Sequence, residues 1–308
     1  MPHQVRRAVY SGSRRQARLA LGAMLLGLLL QPSAFSAESV EPGRSQSADA
    51  LLSAAAQQRM LLERMVKAWC LSGLGGGNQA AGGQLYAAIE RFEAALAVLR
   101  ANAPGWLELE QALEPLGQSW LTLEARLDTA PERPVVIEVA GSAHALGERM
   151  DVVLRVLRQA LESAGVEPQQ PDARARWQAL LERQRMLSQR LVKNYVLMAW
   201  GVEAGDGFDT SREFAAAWAD FERSLADLRE IADGTPGLGE ELAAVEDQWR
   251  WMKSALGLGR ERYFYPTIVD DAGEKILAAM DRIATVQQTS DAVPYPPERG
   301  DADMVRER

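Results

Sequence analysis

Fourteen residues, Gln58 to Leu71, return 126 positions later as Gln184 to Leu197, with eight of the fourteen identical. The shared positions include Arg-Met-x-x-x-Arg and the Val-Lys that follows. A repeat period above a hundred residues implies two copies of a whole domain rather than a solenoid. Any fold assigned to one copy must therefore be repeated in the other.

The apolar pattern carries the repeat through both copies. Leu85, Ile89, Phe92, Leu96 and Leu99 are spaced 4-3-4-3, and Phe214, Trp218, Phe221, Leu225 and Leu228 reproduce that spacing 129 residues on. Leu113, Leu116, Trp120, Leu123 and Leu127 are matched by Leu242, Val245, Trp249, Met252 and Leu256. Val139, Leu146, Met150 and Val153 are matched by Val269, Ile276, Met280 and Ile283 at an offset of 130. No long stretch alternates with period two. Sustained 4-3 stripes are helical seams of the kind that build antiparallel four-helix bundles. The reading is all-α, with two tandem antiparallel four-helix bundles. The offset grows from 126 to 129, which places a three-residue insertion between the first and second helices of the second copy. Thr210 to Glu213 reads as a capping box opening that second helix.

Residues 1–37 read as a cleaved signal peptide. Arg6, Arg7, Arg14, Arg15 and Arg18 precede a 12-residue apolar run, Leu19 to Leu30, and small residues follow at Ser33, Ala34, Ser36 and Ala37. Twelve apolar residues fall short of the ~20 needed to span a bilayer. The first bundle is expected over 38–167, the second over 168–290, and residues 291–308, rich in proline and charge, read as a disordered tail. Loss of the five leader arginines takes the formal charge from −8 to −13. That acidity argues against nucleic acid and anionic membrane surfaces as partners. Periplasmic localisation follows from the leader.

Catalytic groupings are missing from the sequence. Cys70 is the single cysteine, inside an apolar helical stretch, and reads as a packed thiol. Apart from His3 in the leader, His144 stands alone, so no zinc or copper cluster can be assembled and no cofactor is called for. An enzyme is not expected.

On a heptad, the inward stripe of each motif helix is interrupted at the same level by an amide, Gln58 in one copy and Gln184 in the other. A buried amide without a partner destabilises by about 1–3 kcal/mol, so its place in both copies implies register control or a pocket. Arg59 and Arg185 stand about 100° round the helix from these amides. Leu62, Val66 and Trp69 put further apolar surface on the arginine side. The helix should be buried on two faces, one of them carrying an arginine. Arg59 and Arg64 are about 140° and roughly 7.5 Å apart, too far to clamp one small anion together. Lys67 and Lys193 read as solvated face charges.

Gln184-Arg185-Met186-Leu187-Ser188-Gln189-Arg190-Leu191 closely resembles the first-helix motif of the type IV pili methyl-accepting chemotaxis transducer N-terminal domain family. That family also takes in nitrate/nitrite sensor ectodomains (PilJ/NarX-like). The resemblance spans roughly 45–163 and 172–290 and is weaker in the first copy, where Leu62-Glu63 replaces Ser188-Gln189. It implies periplasmic four-helix bundles acting as sensory domains. In the nitrate sensors the Arg-Met arginine of each protomer holds an anion at a dimer interface. By position, the implied ligand-binding residues are Arg59 and Arg185 with Gln58 and Gln184, supported by Arg64, Arg190, Ser188 and Gln189. The sequence departs from the nitrate sensors in lacking their Gly-Ser before Arg-Met, and in placing Glu63 beside the first-copy site.

Together these features describe an envelope sensory module binding a small anion such as nitrate or nitrite and signalling through an envelope protein partner. The alternative is a structural or adaptor bundle without a small-molecule ligand. Processing provides a first check. N-terminal sequencing of the exported protein should start at Ala37 or Glu38, and recovery of a membrane-bound chain retaining Met1 would contradict the leader.

Overall fold

The computed structural model describes residues 42–74, 79–165, 173–205, 207–232, 238–258 and 264–289. The segments read as leader and tail, the expected boundary near 168, and residues 75–78, 206, 233–237 and 259–263 lie outside them. Helix α1 spans Pro42–Gly73, α2 Gln79–Asn102, α3 Leu107–Leu127 and α4 Arg133–Ser163. The second set comprises α5 Ala173–Ala199, α6 Thr210–Ala232, α7 Leu238–Leu258 and α8 Pro266–Thr289. The fold is all-α, and the two sets pack in the same pattern: α1 on α2 and α4, α3 on α4; α5 on α6 and α8, α7 on α8. Cross-helix ion pairs such as Arg229–Glu246 and Lys253–Glu222 fix the antiparallel direction of α6 and α7.

The 4-3 stripes form the interior. Phe92, Leu99, Leu116 and Leu123 are buried in the first set and Phe221, Leu228, Val245 and Met252 in the second. Trp120 and Trp249 occupy equivalent places, as do Met150 and Met280. Helices α2 and α3 are bridged by Phe92 on Trp120, ring centroids 4.4 Å apart, and α6 and α7 by Phe221 on Trp249, also 4.4 Å. Such ring pairs contribute about 0.5–1.5 kcal/mol beyond their burial. Bulky rings also hold those helix backbones apart, while small residues let the other pairs approach closely.

The insertion predicted between the first and second helices of the second copy is a short hairpin. Strands β1, Ala204–Gly205, and β2, Phe208–Asp209, pair antiparallel. The capping expectation is corrected here. Asp209, not Thr210, caps α6: its Oδ1 accepts the Arg212 amide at 2.9 Å. Glu213 does not turn back on the helix start because His144 and Lys193 engage its carboxylate.

Residues from Pro42 onward form one compact unit, because the motif helices α1 and α5 pack directly on each other. They run parallel and in register: Ser53 meets Glu182, Glu63 meets Arg190, and the Trp200 indole donates to the Cys70 carbonyl at 3.0 Å. Equivalent residues of the two copies therefore lie at the same level across a pseudo-two-fold axis along the seam. No helix among the described residues is long and apolar enough to cross a membrane.

Glycine substitutions separate close packing from open space. A Cβ on Gly273 would meet Val192 Cγ2 at 2.6 Å, and the buried, β-branched valine has no free rotamer to yield. A Cβ on Gly83 in α2 would meet nothing within 4 Å. In urea titrations Gly273→Ala should destabilise by about 1–3 kcal/mol, and Gly83→Ala should stabilise by about 0.5–1 kcal/mol.

Candidate functional site

The motif segment of α1 is buried from Gln58 to Leu71 apart from Arg59 and Arg64, which are half-buried. That of α5 is buried from Gln184 to Leu197 apart from Arg185, Met186 and Arg190. One face of each helix packs in its own bundle and the other against the opposite motif helix. Burial on two faces, expected from Leu62, Val66 and Trp69, is what the structure shows.

This burial overturns the reading of the lysines as solvated charges. Lys67 has 0% of its surface exposed and Lys193 8%. A single helix's periodicity places both on an outward face, but the outward face of each motif helix is covered by the other copy. A buried ammonium must be paired. Lys67 Nζ lies 2.6 Å from Asp270 and 2.7 Å from Glu274, both on α8. Arg64 reaches the same Glu274 at 2.5 Å. Across the seam, Lys193 Nζ lies 2.8 Å from Glu63 and 3.6 Å from Glu213, and Arg190 Nε lies 2.9 Å from Glu63.

The two networks are related by the repeat. Applying its offsets, Arg64 and Lys67 correspond to Arg190 and Lys193. Glu63 corresponds to Gln189, Gln84 to Glu213, His144 to Glu274 and Ala140 to Asp270. Each copy thus presents the same cation pair, but the neutralising acids come from different elements: α1 and α6 around Lys193, α8 alone around Lys67. Gln84 donates to Asp270 at 3.5 Å, and His144 Nδ1 lies 2.9 Å from Glu213, so in each network a second-helix group of one copy meets a fourth-helix group of the other.

Arg59 and Arg185 obey the symmetry more strictly. Arg59 crosses Gly147 of α4, where a Cβ would collide with its guanidinium, to lie 3.7 Å from Asp151. Arg185 lies 2.8 Å from Asp281 of α8, the counterpart of Asp151, and donates to the Met280 carbonyl at 3.3 Å. Each arginine is turned to the fourth helix of its own copy. Arg59 also has Glu63 at 3.9 Å.

The amides divide by role. Gln184 donates to the Phe221 carbonyl at 3.0 Å and ties α5 to α6, while the buried Gln58 Nε2 has no hydrogen-bond partner among the described residues. Ser188 donates to the Arg185 carbonyl at 2.8 Å. Gln189 donates to the Gly273 carbonyl and the Ser188 hydroxyl, each at 3.4 Å, holding α5 to α8. The structure therefore gathers Arg59, Arg190 and Glu63 in one network and Arg64 in the other, with Arg185 beside its own α8 carboxylate. Sequence reasoning missed Lys67, Lys193, Asp270, Glu274 and Glu213. The available signal was a lysine set between Val66 and Ala68, or Val192 and Asn194, in a stretch apolar on two faces.

Burial alone raises the Glu63 pKa, but Lys193, Arg190 and Arg59 more than offset this and hold it well below the ordinary carboxylate range. Burial also raises Glu274, which Lys67 and Arg64 bring below its usual value. Burial pushes the Cys70 thiol far up, consistent with an inert packed group. Among the described residues no group of His, Cys, Asp and Glu is arranged to hold a metal ion.

Residues 183–264 match the family model described as "Type IV pili methyl-accepting chemotaxis transducer N-term". The match opens on the α5 motif and runs through α6 and α7 to the approach to α8. Comparison with curated proteins and with solved structures gives no match.

The acid networks set a pH dependence. A depressed folded-state pKa contributes stability that is complete above the unfolded carboxylate value and is lost as pH falls toward the folded value. Stability should therefore decline below about pH 4.5. Glu63→Gln should flatten that decline by up to about 1.4 kcal/mol per pH unit, read from urea titrations between about pH 4.5 and 3.

Proposed function

We propose that the chain is an extracytoplasmic sensory module of the chemotaxis-transducer type, working in the periplasm and signalling through an envelope protein partner. The observation that carries this reading is the family match over residues 183–264, which includes the motif helix at the centre of the molecule. The burial of that helix between the two copies supports it, because a change at α5 is felt in both.

The ligand in this reading is a small oxyanion such as nitrate or nitrite, taken by Arg185 with Gln184, Ser188 and Gln189 nearby. A guanidinium fork suits planar oxyanions. Arg185 is the better candidate of the two motif arginines on electrostatic grounds. For both arginines the fourth-helix carboxylate, Asp151 or Asp281, has a side chain 58% exposed and can be displaced into water. Arg59 has in addition the fixed, buried Glu63, which would repel an incoming anion.

A second reading is favoured by one observation: both motif arginines already face carboxylates. In that reading the motif sets helix packing and the chain is an adaptor bundle without a small-molecule ligand. Calorimetric titration of the purified protein with nitrate and nitrite separates the two. Charge-assisted hydrogen bonds contribute about 1.5–3 kcal/mol each, so Arg185→Ala should weaken anion binding roughly 10- to 100-fold. Absence of any saturable heat in the unmodified protein would leave the adaptor reading standing.

A further inference from the structure

Glu63 is one of the points where the two copies differ in charge. Its carboxylate is buried, at 4% exposure, and is surrounded by three cations from two helices. Lys193 Nζ lies at 2.8 Å, Arg190 Nε at 2.9 Å and Arg59 Nε at 3.9 Å. Arg190 and Lys193 belong to α5, Arg59 to the same helix as Glu63. Two guanidiniums and one ammonium can hold a small oxyanion by charge-assisted hydrogen bonds, and here the chain's own side chain takes that place, with Asp151 and Glu213 on the outer sides of Arg59 and Lys193. The counterpart position in the second copy is Gln189, a neutral side chain of the same length. The carboxylate is thus not demanded by helix packing at this level.

We propose that Arg59, Arg190 and Lys193 form a site for a small carboxylate or similar monovalent oxyanion, occupied in this chain by Glu63 as a tethered internal ligand. Truncation to alanine removes the elements of acetate, a methylene and its carboxylate, and leaves the three cations around the gap. The tethered carboxylate bridges α1 and α5, so the seam is locked on this side without any soluble ligand. The inference stands independently of anion binding at Arg185, since the site lies on other groups and its occupant is covalently part of the chain.

Chemical rescue tests it. Breaking a buried ion cluster by removing one member is strongly destabilising, so Glu63→Ala should lower Tm by roughly 10 °C. Sodium acetate should restore at least about half of that loss along a saturable curve. Sodium pivalate, of equal charge but too bulky for the gap, should restore far less, and so should acetate applied to Glu63→Gln, whose amide fills the space. If Glu63→Ala does not fold in buffer, the titration is followed by far-ultraviolet circular dichroism. Recovery of helix with acetate at concentrations where pivalate gives none is then the expected result. Equal effects of the two salts, or no effect of either, would overturn the proposal.

Discussion

Two lysines inside a helical seam set the terms for everything around them. An ammonium withdrawn from water carries a desolvation cost of several kcal/mol unless carboxylates meet it at contact distance. Lys67 meets that condition through Asp270 and Glu274, which the chain supplies two hundred residues later. Lys193 meets it through Glu63, 130 residues earlier. Neither motif lysine is paired with a carboxylate of its own first helix. The two four-helix sets are therefore interdependent, and Pro42 onward holds together as one unit. Apolar packing of Val66, Trp69, Val192 and Val196 in the same seam supplies the driving force, and the charges select its register.

The symmetry of the seam is obeyed by the basic groups and broken by the acidic ones. Arg59 with Asp151 and Arg185 with Asp281 form the same pair twice. Around the lysines the acids have moved. Where one copy has Glu63, His144 and Ala140, the other has Gln189, Glu274 and Asp270. Two separate identical chains would be bound to repeat every group, whereas a fused pair is free to distribute acids unequally so long as each cation remains neutralised. That freedom explains why the first-copy motif reads Leu62-Glu63 where the second reads Ser188-Gln189. Glu63 faces across to α5, while Gln189 turns instead to the Gly273 carbonyl of α8.

The parts of the fold legible in the sequence are those governed by one helix at a time. The 4-3 stripes give helix number and core residues because apolar periodicity is a local property. The changing offset between copies located the insertion that forms the β1–β2 hairpin. The lysines escaped because a face that is outward for one bundle is inward for a pair of bundles, and single-helix periodicity carries no information on docking. Capping at α6 was misread for a related reason. Asp209 and Thr210 are both good cap residues, and Glu213, the box partner of Thr210, is engaged instead by Lys193 and His144. Gln58 and Gln184 were legible as buried polar positions, but the partner of Gln184, the Phe221 carbonyl, lies on another element.

A buried network of this kind also fixes where such a molecule can and cannot move. Sliding α1 along α5 by one turn, about 5.4 Å, would carry Arg190 and Lys193 away from Glu63 and leave three largely buried charges without their partners. Packed interiors answer such displacements with discrete alternatives rather than gradual yielding. No second acid lies one turn from Glu63 toward either end on α1: its neighbours at that spacing are Arg59 and Lys67. Like charges would then face like charges, so the slide has no alternative resting state. Helices α2 and α3, and likewise α6 and α7, are spanned by tilted ring contacts, with exposed ion pairs between α6 and α7. A shift within either of those pairs strands no buried charge, whereas a slide of α1 along α5 does.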